Sequence, residues 1–455
     1  MPVKFTENQY GQMLQDLFRR FPSFQLAGTA AYKPGLDNML FFDQLAGHPH
    51  RRFKVIHVAG TNGKGSVSSM ITSVLAAGGV RTGLFTSPHI LDFRERARIV
   101  SGDSFEYIPK DFVWDFCQRW KDTFDHLDLS LFEISTMMAF EWFASEGVEA
   151  AVIETGLGGR FDSTNIVSPV LSVITNIALD HCNILGETLP EIAFEKAGII
   201  KPCIPVVVGE SNPETDAVFE RKVLYTNLPE PQFMGNRPAI MSLLKFADKT
   251  APSGWENHER LLTDMDLQGE YQKHNLRTAL AAIDSLATVF PAAALNVSAI
   301  AQTASRTDFH GRWEKLSDSP YIICDIGHNE HGLRPNFQRL ADMKASGEIG
   351  GLVIVYGIMS DKDFDSIAHL LPQDASYVFT SAPGPRALPA DALARRYEAY
   401  CEASGVPCAS YSVEQQPEDA LKVAQEMAAV LDNPLIYVGG STYVVAEVIR
   451  TFKEQ

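Results

Sequence analysis

The stretch KVIHVAGTNGKGSVSSMITSVL, which spans Lys54–Leu75, decides the fold of this chain. Apolar and β-branched residues from Val55 to Ala59 predict a buried strand, and a helical pattern opens at Ser66. The glycines of the turn between them let the backbone bend tightly and come close to a ligand. The turn is suited to anions, because the N–H groups that begin a helix are unpaired and lie at its positive end. The sequence therefore predicts a phosphate-binding loop.

Two side chains of the same turn strengthen this prediction. Lys64 supplies a mobile cation that can reach outer phosphates, and Ser66 supplies a hydroxyl suited to a magnesium ion. The loop departs from the strict G-x-x-x-x-G-K-[ST] pattern, since Val58 stands where that pattern has its first glycine. The alternative is a glycine-rich turn that binds no ligand. The lysine, the serine and the strand–turn–helix context favour the phosphate loop.

The length and charge of the chain limit its organisation and partners. With 455 residues the chain is long for one core, so we expect two or three domains. Its 39 basic and 56 acidic residues give a net charge of −17, which argues against nucleic acid as a partner. An anionic substrate must therefore be met by a local positive pocket rather than by the overall field.

The cysteines and apolar segments indicate the compartment. Six cysteines are scattered without C-x-x-C pairs, which fits reduced thiols in a cytoplasmic protein better than a disulfide framework or a zinc site. The N-terminus lacks the basic start and apolar core of a signal peptide, and no apolar run is long enough to span a bilayer. We therefore expect a cytoplasmic protein without a membrane partner. We also expect a monomer that takes small-molecule substrates.

The stretch VEAAVIETGLGGRFDSTNIV, Val148–Val167, holds the second informative pattern. A buried strand is predicted to end at Glu154, and a buried carboxylate is costly unless a cation offsets its charge. Magnesium together with phosphate is the expected partner, because Mg²⁺ prefers carboxylates, waters and phosphate oxygens. The alternative is a structural pair between Glu154 and Arg160 within a glycine turn.

Polar residues also follow two further predicted strands. Ser87 comes after the strand 81–85 in a Thr-Ser-Pro-His turn, and His181 follows the strand 170–177 in an Asp-His pair. Because open α/β sheets bind ligands at the carboxyl ends of their strands, both residues are candidate metal contacts. An ordinary Ser-Pro turn and a hydrogen-bonded or exposed histidine are the alternatives. The alternation of strands and helices predicts parallel pairing with right-handed crossovers.

These motifs resemble those of the Mur-ligase superfamily, and their close match is the folylpolyglutamate synthase/dihydrofolate synthase family. The matching segments are G-T-N-G-K-G-S at 60–66, E-T-G-L-G-G-R-F-D-S-T-N at 154–165, D-H-C-N-I-L-G at 180–186 and E-K-A-G-I at 195–199. Further along the chain, G-R-W at 311–313 and D-I-G-H-N at 325–329 also resemble that family. The resemblance implies an α/β protein of two domains. Residues 1–306 would form an N-terminal P-loop ATPase domain with a mostly parallel sheet, and residues 307–455 a smaller Rossmann-like domain.

The resemblance also assigns roles to individual residues. Asp325 and His328, at the end of a predicted strand, can by their chemistry hydrogen-bond a ribose or base. The catalytic residues implied by the resemblance are Lys64, Lys196, His181 and Arg312. The residues implied for ATP binding are Gly60, Thr61, Asn62, Gly63, Lys64, Gly65, Ser66, Asn275, Arg312, Asp325 and His328. The ligands implied for Mg²⁺ are Ser66, Ser87, Glu154 and His181.

Lys196 receives the most demanding assignment. It matches the position that carries a carbamylated lysine in folate ligases, where the carbamate would help to hold a second magnesium ion. Carbon dioxide adds only to a neutral amine, so this assignment requires burial beside cations to lower the pKa of Lys196. The alternative is a surface lysine near a helix end, where its charge complements the helix dipole.

The activity implied by the resemblance is that of an ATP-dependent amide ligase. A substrate carboxylate attacks the γ-phosphate to give an acyl phosphate and ADP, and the amino group of L-glutamate then displaces phosphate. The carboxylate would belong to dihydropteroate, to a folate or to its γ-glutamyl tail. Two alternatives are a Mur-type ligase with a UDP-linked cell-wall substrate and a nucleotide-dependent switch without catalysis. A GTPase-type switch predicts an N-K-x-D motif, which the sequence lacks.

Three segments carry further expectations. Residues 211–262 are rich in loops and prolines, and we expect an elaborated surface region without a functional site. The run 86–105 is similar to the mobile loop that follows the second strand in the family. Residues Leu267–Leu286 have helical periodicity, with Glu270 where the family usually has histidine.

Overall fold

The computed structural model describes residues 4–21, 33–227, 240–360, 362–384 and 386–454. The chain divides into two compact units. The first comprises Met1–Asp266 and Gln272–Phe309, and the second comprises Leu267–Tyr271 and His310–Gln455. None of the helices among the described residues is long and apolar enough to cross a membrane.

The described residues of the first unit form an eight-stranded sheet in the order β4-β3-β2-β5-β1-β6-β7-β8. Strand β3 pairs antiparallel with β2 and β4, and all other neighbours are parallel. The strands are β1 (Lys54–Ala59), β2 (Thr82–Phe85), β3 (Ala97–Ser101), β4 (Ser104–Tyr107), β5 (Ala150–Glu154), β6 (Pro169–Ile174), β7 (Val206–Val208) and β8 (Leu244–Phe246). The register places Val58 opposite Glu154 and Ala59 opposite Ile174, so β1, β5 and β6 end at one edge.

The helices of the first unit begin where local sequence favours it. Thr6, Ser130 and Thr188 each cap a helix through a capping box, which satisfies backbone N–H groups that the helix cannot pair. The helices are α1 (Glu7–Arg20), α2 (Asp37–Leu45), α3 (Lys64–Ala77), α4 (Lys110–His126), α5 (Leu131–Ser145), α6 (Cys182–Leu185), α7 (Leu189–Lys196), α8 (Asp216–Asn227), α9 (His258–Asp264), α10 (Gln272–Leu286), α11 (Pro291–Ala294) and α12 (Thr303–Thr307).

Aromatic side chains fill the core beneath β1, β2 and β5. Phe140 and Trp142 on α5 are fully buried there, while Trp114 and Trp120 on α4 pack against the same cluster from its rim. These four aromatics are therefore core residues, as their helical spacing predicts.

The described residues of the second unit form a six-stranded sheet in the order β13-β12-β11-β14-β10-β9. All neighbours are parallel except β9, which pairs antiparallel with β10 at the edge. The strands are β9 (Glu314–Asp318), β10 (Tyr321–Cys324), β11 (Gly351–Tyr356), β12 (Ser376–Thr380), β13 (Tyr411–Glu414) and β14 (Pro434–Gly439). The helices are α13 (Glu330–Ala345), α14 (Asp365–Ala368), α15 (Ala390–Ser404), α16 (Pro417–Ala428) and α17 (Thr442–Glu454). The predicted fold class, α/β with a larger and a smaller mostly parallel sheet, is confirmed.

The structure corrects several expectations about local structure. Residues 211–262 contribute α8, the edge strand β8 and α9 rather than loops alone, although 228–239 lie outside the described residues. The run expected to be a mobile loop ends in the β3–β4 hairpin. The predicted helix over Leu267–Leu286 begins only at Gln272, and Leu267–Tyr271 group with the second unit. Edge strands of three or four residues are too short to show a period, so pairing rather than pattern defines them.

Candidate active site

The predicted phosphate loop connects β1 to α3 through two glycines that no other residue can replace without strain. Gly60 has φ +154°, and a Cβ there would lie 1.8 Å from Thr175 Oγ1. Gly63 has φ +79°, and a Cβ there would lie 2.1 Å from Asn275 Oδ1. Helix α3 begins at Lys64, two residues earlier than predicted, because Gly63 takes the left-handed conformation that precedes it. The backbone therefore leaves no room for side chains on the faces that meet β6 and α10.

The loop is held to the end of β6 by hydrogen bonds. The N–H of Thr61 donates to the carbonyl of Asn176 at 3.0 Å, and the N–H of Asn62 donates to Asn176 Oδ1 at 2.9 Å. Thr175 Oγ1 donates to the carbonyl of Asn62 at 2.6 Å. Thr61 Oγ1 also exchanges hydrogen bonds of 3.1 and 3.0 Å with the backbone of Ala178. The segment that follows β6 thus holds one side of the loop.

Two lysines converge on the carbonyl oxygen of Gly60. Lys64 Nζ donates to Gly60 O at 3.1 Å and to Thr61 O at 3.0 Å, and Lys196 Nζ donates to Gly60 O at 2.8 Å. Lys196, the last residue of α7, is only 3% exposed. Burial, followed by the nearby charge of Lys64, lowers the pKa of Lys196 to about 7. The alternative of a surface lysine is therefore wrong.

Glu154 ends β5 at the same edge of the sheet and is 3% exposed. Its Oε2 accepts a hydrogen bond from the N–H of Ser87 at 3.4 Å, and a Cβ on Gly65 would lie 3.5 Å from the same oxygen. Burial lowers the pKa of Arg98, and nearby carboxylates, Glu154 among them, oppose that shift. The structure therefore brings the predicted metal ligands Glu154 and Ser87 beside the first turn of α3.

Arg160 does not form the alternative structural pair with Glu154. Its guanidinium binds Glu195, with Nε 3.2 Å from Oε2 and an Nη 2.7 Å from Oε1. Arg160 also lies over the rings of Phe161 and Phe194, with centroid distances of 4.3 and 5.0 Å. The alternative of a Glu154–Arg160 pair is thus wrong, and the carboxylate of Glu154 lies beside the first turn of α3.

Asp162 holds the glycine turn that follows Glu154. Its carboxylate accepts hydrogen bonds from the N–H groups of Gly156, Leu157 and Thr164 at 2.8, 2.9 and 3.0 Å. The Thr164 hydroxyl donates to the same carboxylate. His57 Nε2, which lies 2.8 Å from Thr164 Oγ1, must then be the donor in that contact.

His57 supports this turn from β1 and was missed by the sequence analysis. Burial lowers the pKa of His57 to about 3, so the ring is neutral at physiological pH. Its position within the apolar run of β1 was the available signal, because a buried imidazole requires a hydrogen-bond partner.

Helix α10 contributes the other wall. The side-chain amide of Gln272 donates to Ser66 Oγ at 3.3 Å, and Asn275 Nδ2 donates to Gln272 Oε1 at 2.8 Å. This chain places the predicted residues Ser66 and Asn275 at the start of α3 and adds Gln272, which was not among them. His181 lies at the start of α6 with φ +53°, and its Nε2 is 3.8 Å from Asp180 Oδ2.

The remaining predicted residues, Arg312, Asp325 and His328, belong to the second unit. Asp325 is 1% exposed and accepts four hydrogen bonds, from Tyr271 Oη at 2.5 Å, Trp313 N at 2.9 Å, Gly327 N at 2.7 Å and Asn336 Nδ2 at 2.7 Å. His328 Nδ1 lies 3.0 Å from the carbonyl of Ile326, and an Nη of Arg312 donates to Gly311 O at 3.2 Å. The carboxylate of Asp325 thus organises the turn on which His328 stands.

The fold and the first-unit site define a class of protein. A parallel sheet, a glycine loop at the start of a helix, two lysines and a buried carboxylate are features typical of P-loop nucleotide-binding proteins. The family models agree with this class, since residues 58–283 match the Mur ligase middle domain and residues 311–441 match the Mur ligase, glutamate ligase domain.

Individual relatives narrow the class. The chain is 34% identical over 418 residues to the folylpolyglutamate synthase of Lacticaseibacillus casei, covering 89% of this chain and 91% of the relative. Its structure matches Mycobacterium tuberculosis folylpolyglutamate synthase complexed with ADP and AMPPCP, with a TM-score of 0.78, 25% identity and coverage of 98% and 99%. It also matches E. coli FolC in complex with DHPP and ADP, with a TM-score of 0.72, 25% identity and 98% coverage of both chains. The chain belongs to the folylpolyglutamate synthase/dihydrofolate synthase family of ATP-dependent ligases, and the predicted resemblance is confirmed.

The close approach of Gly63 to α10 can be tested by comparing two glycines with similar backbones. Gly63 and Gly79 have φ of +79° and +84°, but a Cβ on Gly79 meets no atom within 4 Å. Both Gly→Ala changes should cost about 1–2 kcal/mol of stability through backbone strain. Gly63→Ala should in addition displace Asn275 and weaken ATP binding by roughly tenfold or more, which is about 1.4 kcal/mol. Calorimetric titration of both folded variants with ATP measures the two affinities. Equal ATP affinities for Gly63→Ala and Gly79→Ala would contradict the predicted effect of the close contact between position 63 and Asn275.

Proposed function

We propose that this ligase joins the amino group of L-glutamate to the carboxylate of a pterin acid or folate, and that it couples the new amide bond to cleavage of ATP to ADP and phosphate. The observation that carries the proposal is the phosphate loop, in which Lys64 lies against the carbonyls of Gly60 and Thr61 at the positive end of α3. A chain with a net charge of −17 needs such a local positive pocket to bind ATP beside an anionic acid. We also propose that the first unit is the ATP-binding domain and the second the C-terminal ligase domain.

The reaction balances through an acyl phosphate. A carboxylate oxygen of the acid attacks the γ-phosphorus, and the bond to the bridging oxygen breaks to release ADP. The nitrogen of glutamate then attacks the activated carbonyl carbon, loses a proton and expels inorganic phosphate as the amide forms. Such a transfer needs little covalent chemistry from the protein, so positioning and charge neutralisation supply most of the catalysis.

The phosphate loop and α10 would position the nucleotide. The N–H groups at the start of α3 and the absence of side chains at Gly60 and Gly63 suit the close approach of phosphate oxygens. Lys64 would exchange the carbonyls of Gly60 and Thr61 for those oxygens, because a phosphate is the stronger acceptor for an ammonium group. Gln272 and Asn275 would keep this turn in place.

The residues beside the loop fit a divalent metal ion. Glu154 is a buried carboxylate beside the first turn of α3, where the hydroxyl of Ser66 also lies, and oxygen ligands of this kind suit Mg²⁺. Ser66, Ser87, Glu154 and His181 would hold the ion. A bound magnesium ion supplies charge neutralisation at the phosphates.

We further propose that Lys196 is carbamylated. Its buried amine has a pKa of about 7, so a large fraction is neutral at physiological pH and can attack carbon dioxide. The new N–C bond forms as one C=O π bond breaks, and the nitrogen loses a proton. The resulting carboxylate would replace a cation beside Lys64 with an anion, and would be able to help hold a second magnesium ion.

In the second unit, Arg312 would approach the phosphates and His328 the nucleoside. The predicted contact of Asp325 with the nucleoside has to compete with four hydrogen bonds inside its own unit. We therefore propose that Asp325 acts by holding the turn that presents His328.

The proposed reaction is tested by measuring ADP release with each substrate omitted in turn. We expect release to require ATP, L-glutamate and either dihydropteroate or a folate together. Release that instead requires a UDP-linked acid would support a cell-wall ligase. Release that is independent of any acid and of glutamate would contradict the proposed reaction.

The metal role of Glu154 is tested by Glu154→Gln, which keeps the shape of the side chain and removes its charge. We expect turnover to fall on the order of 100-fold, because charge stabilisation of the transition state is weakened. The magnesium concentration for half-maximal activity should also rise. Glu187→Gln, a change at an exposed glutamate, serves as the matched control. Identical magnesium titrations for wild type and Glu154→Gln, with unchanged turnover, would show that Glu154 is not a ligand.

Carbamylation of Lys196 predicts a pH-dependent signal from ¹³C-labelled bicarbonate in the NMR spectrum of the protein. The carbamate requires the neutral amine, so the signal should grow as the pH rises through about 7 and vanish on acidification. Lys196→Met should abolish the signal. Lys201→Met should keep it, although burial also lowers the pKa of Lys201. A carbamate signal that survives Lys196→Met would place the modification elsewhere.

A further inference from the structure

Asp43, His48 and His50 form a cluster of side chains that the ligase reaction does not use. Asp43 lies in the last turn of α2, His48 follows that helix, and His50 lies in the 3₁₀ turn Pro49–Arg52. His48 Nδ1 is 2.6 Å and His50 Nε2 is 3.3 Å from the same oxygen of Asp43, Oδ2. One ligand atom from each residue lies within 4.8 Å of the other two. Two imidazole nitrogens and a carboxylate oxygen therefore lie close enough together to bind one ion.

The carboxylate of Asp43 is under-satisfied where it lies. Asp43 is 2% exposed and His50 is 5% exposed. The Oδ1 atom of Asp43 is buried and has no hydrogen-bond partner among the described residues. A buried carboxylate with one bare oxygen is costly, and a bound cation would offset that cost.

The backbone after α2 holds His48 next to the carboxylate of Asp43. The N–H of His48 donates to the backbone carbonyl of Asp43 at 2.9 Å, which closes the chain on the end of α2. His48 has φ +56°, a left-handed conformation in which histidine, like asparagine and aspartate, is found more often than other side-chain-bearing residues. That conformation brings the imidazole of His48 next to Asp43.

The cluster is separate from the nucleotide site. It precedes the amino end of β1, which begins at Lys54, whereas the phosphate loop follows the carboxyl end of the same strand at Ala59. Its ligand atoms also differ in kind, since Mg²⁺ prefers oxygen whereas imidazole suits zinc and related transition metals. The side chain of His48 is 38% exposed, which gives an ion and a coordinating water access from solvent.

We propose that Asp43, His48 and His50 form a binding site for a divalent transition-metal ion of the zinc class, with water as the fourth ligand. Zinc binds imidazole nitrogen and carboxylate oxygen at about 2.0–2.2 Å in a tetrahedral site. The ion joins the end of α2 to the 3₁₀ turn that leads into β1. Its contribution is to stability of the first unit rather than to phosphoryl transfer.

The test is metal uptake by the full chain after chelation, in the presence of excess Mg²⁺ to occupy the nucleotide-site ligands. Equilibrium dialysis against Zn²⁺ should give one equivalent bound, and Co²⁺ should give a tetrahedral visible spectrum without a thiolate charge-transfer band. Zn²⁺ should also raise the melting temperature, because binding to the folded state alone stabilises it.

Three substitutions and two controls decide the assignment. Asp43→Asn, His48→Asn and His50→Gln should each weaken Zn²⁺ binding by roughly 100-fold or more, beyond the 10–100-fold that loss of an outer-shell partner costs. His48→Asn suits the left-handed backbone, so this variant should fold even if the buried changes do not. Glu154→Gln and His369→Gln, the latter in the second unit, should bind Zn²⁺ as the wild type does.

Two outcomes would overturn the proposal. If the wild-type chain takes up no zinc or cobalt, the three residues form a hydrogen-bonded triad without a metal. If zinc is bound but His48→Asn binds it equally well, the ion belongs to other ligands, and a thiolate band in the cobalt spectrum would identify cysteines among them.

Discussion

The candidate site of the first unit is arranged around the carbonyl oxygen of Gly60, which accepts hydrogen bonds from Lys64 and Lys196 at 3.1 and 2.8 Å. That carbonyl is available because Gly60 turns with φ +154° against Thr175, where any Cβ would collide. The loop geometry therefore sets where both cations lie. The mutual repulsion of the cations adds to burial in lowering the pKa of Lys196.

The parallel strands β1, β5 and β6 end at the same edge of the sheet, which brings the carboxylate of Glu154 beside the loop that contains Gly60. Val58 lies opposite Glu154 and Ala59 opposite Ile174, so the loop, the carboxylate and the segment after β6 meet at one edge. Asp162 then fixes the turn after Glu154 with backbone hydrogen bonds rather than through an ion pair. The result is a turn of fixed backbone conformation beside Glu154.

Much of this could be predicted from the sequence, because the signals are local. Glycines, a lysine and a serine within seven residues of a buried strand predicted the loop, and a charged residue at the end of an apolar run predicted Glu154. The alternation of strands and helices predicted the fold class. Recognition of the family rested on several such motifs in the right order, and the relatives of this chain confirm it.

Only the tertiary structure decided which side chains meet. The local sequence pattern does not distinguish a buried Lys196 from an exposed one. In the structure Lys196 is buried, because the end of α7 packs against the loop and the amine donates to the carbonyl of Gly60. The partner of Arg160 is Glu195 rather than Glu154, because the fold brings Glu195, which is distant in the sequence, into contact with the guanidinium. Asp43, His48 and His50 are close in the sequence, yet their convergence follows from the left-handed turn after α2. Sequence spacing fixes which groups exist and their local conformation, whereas burial and pairing arise from contacts between distant segments.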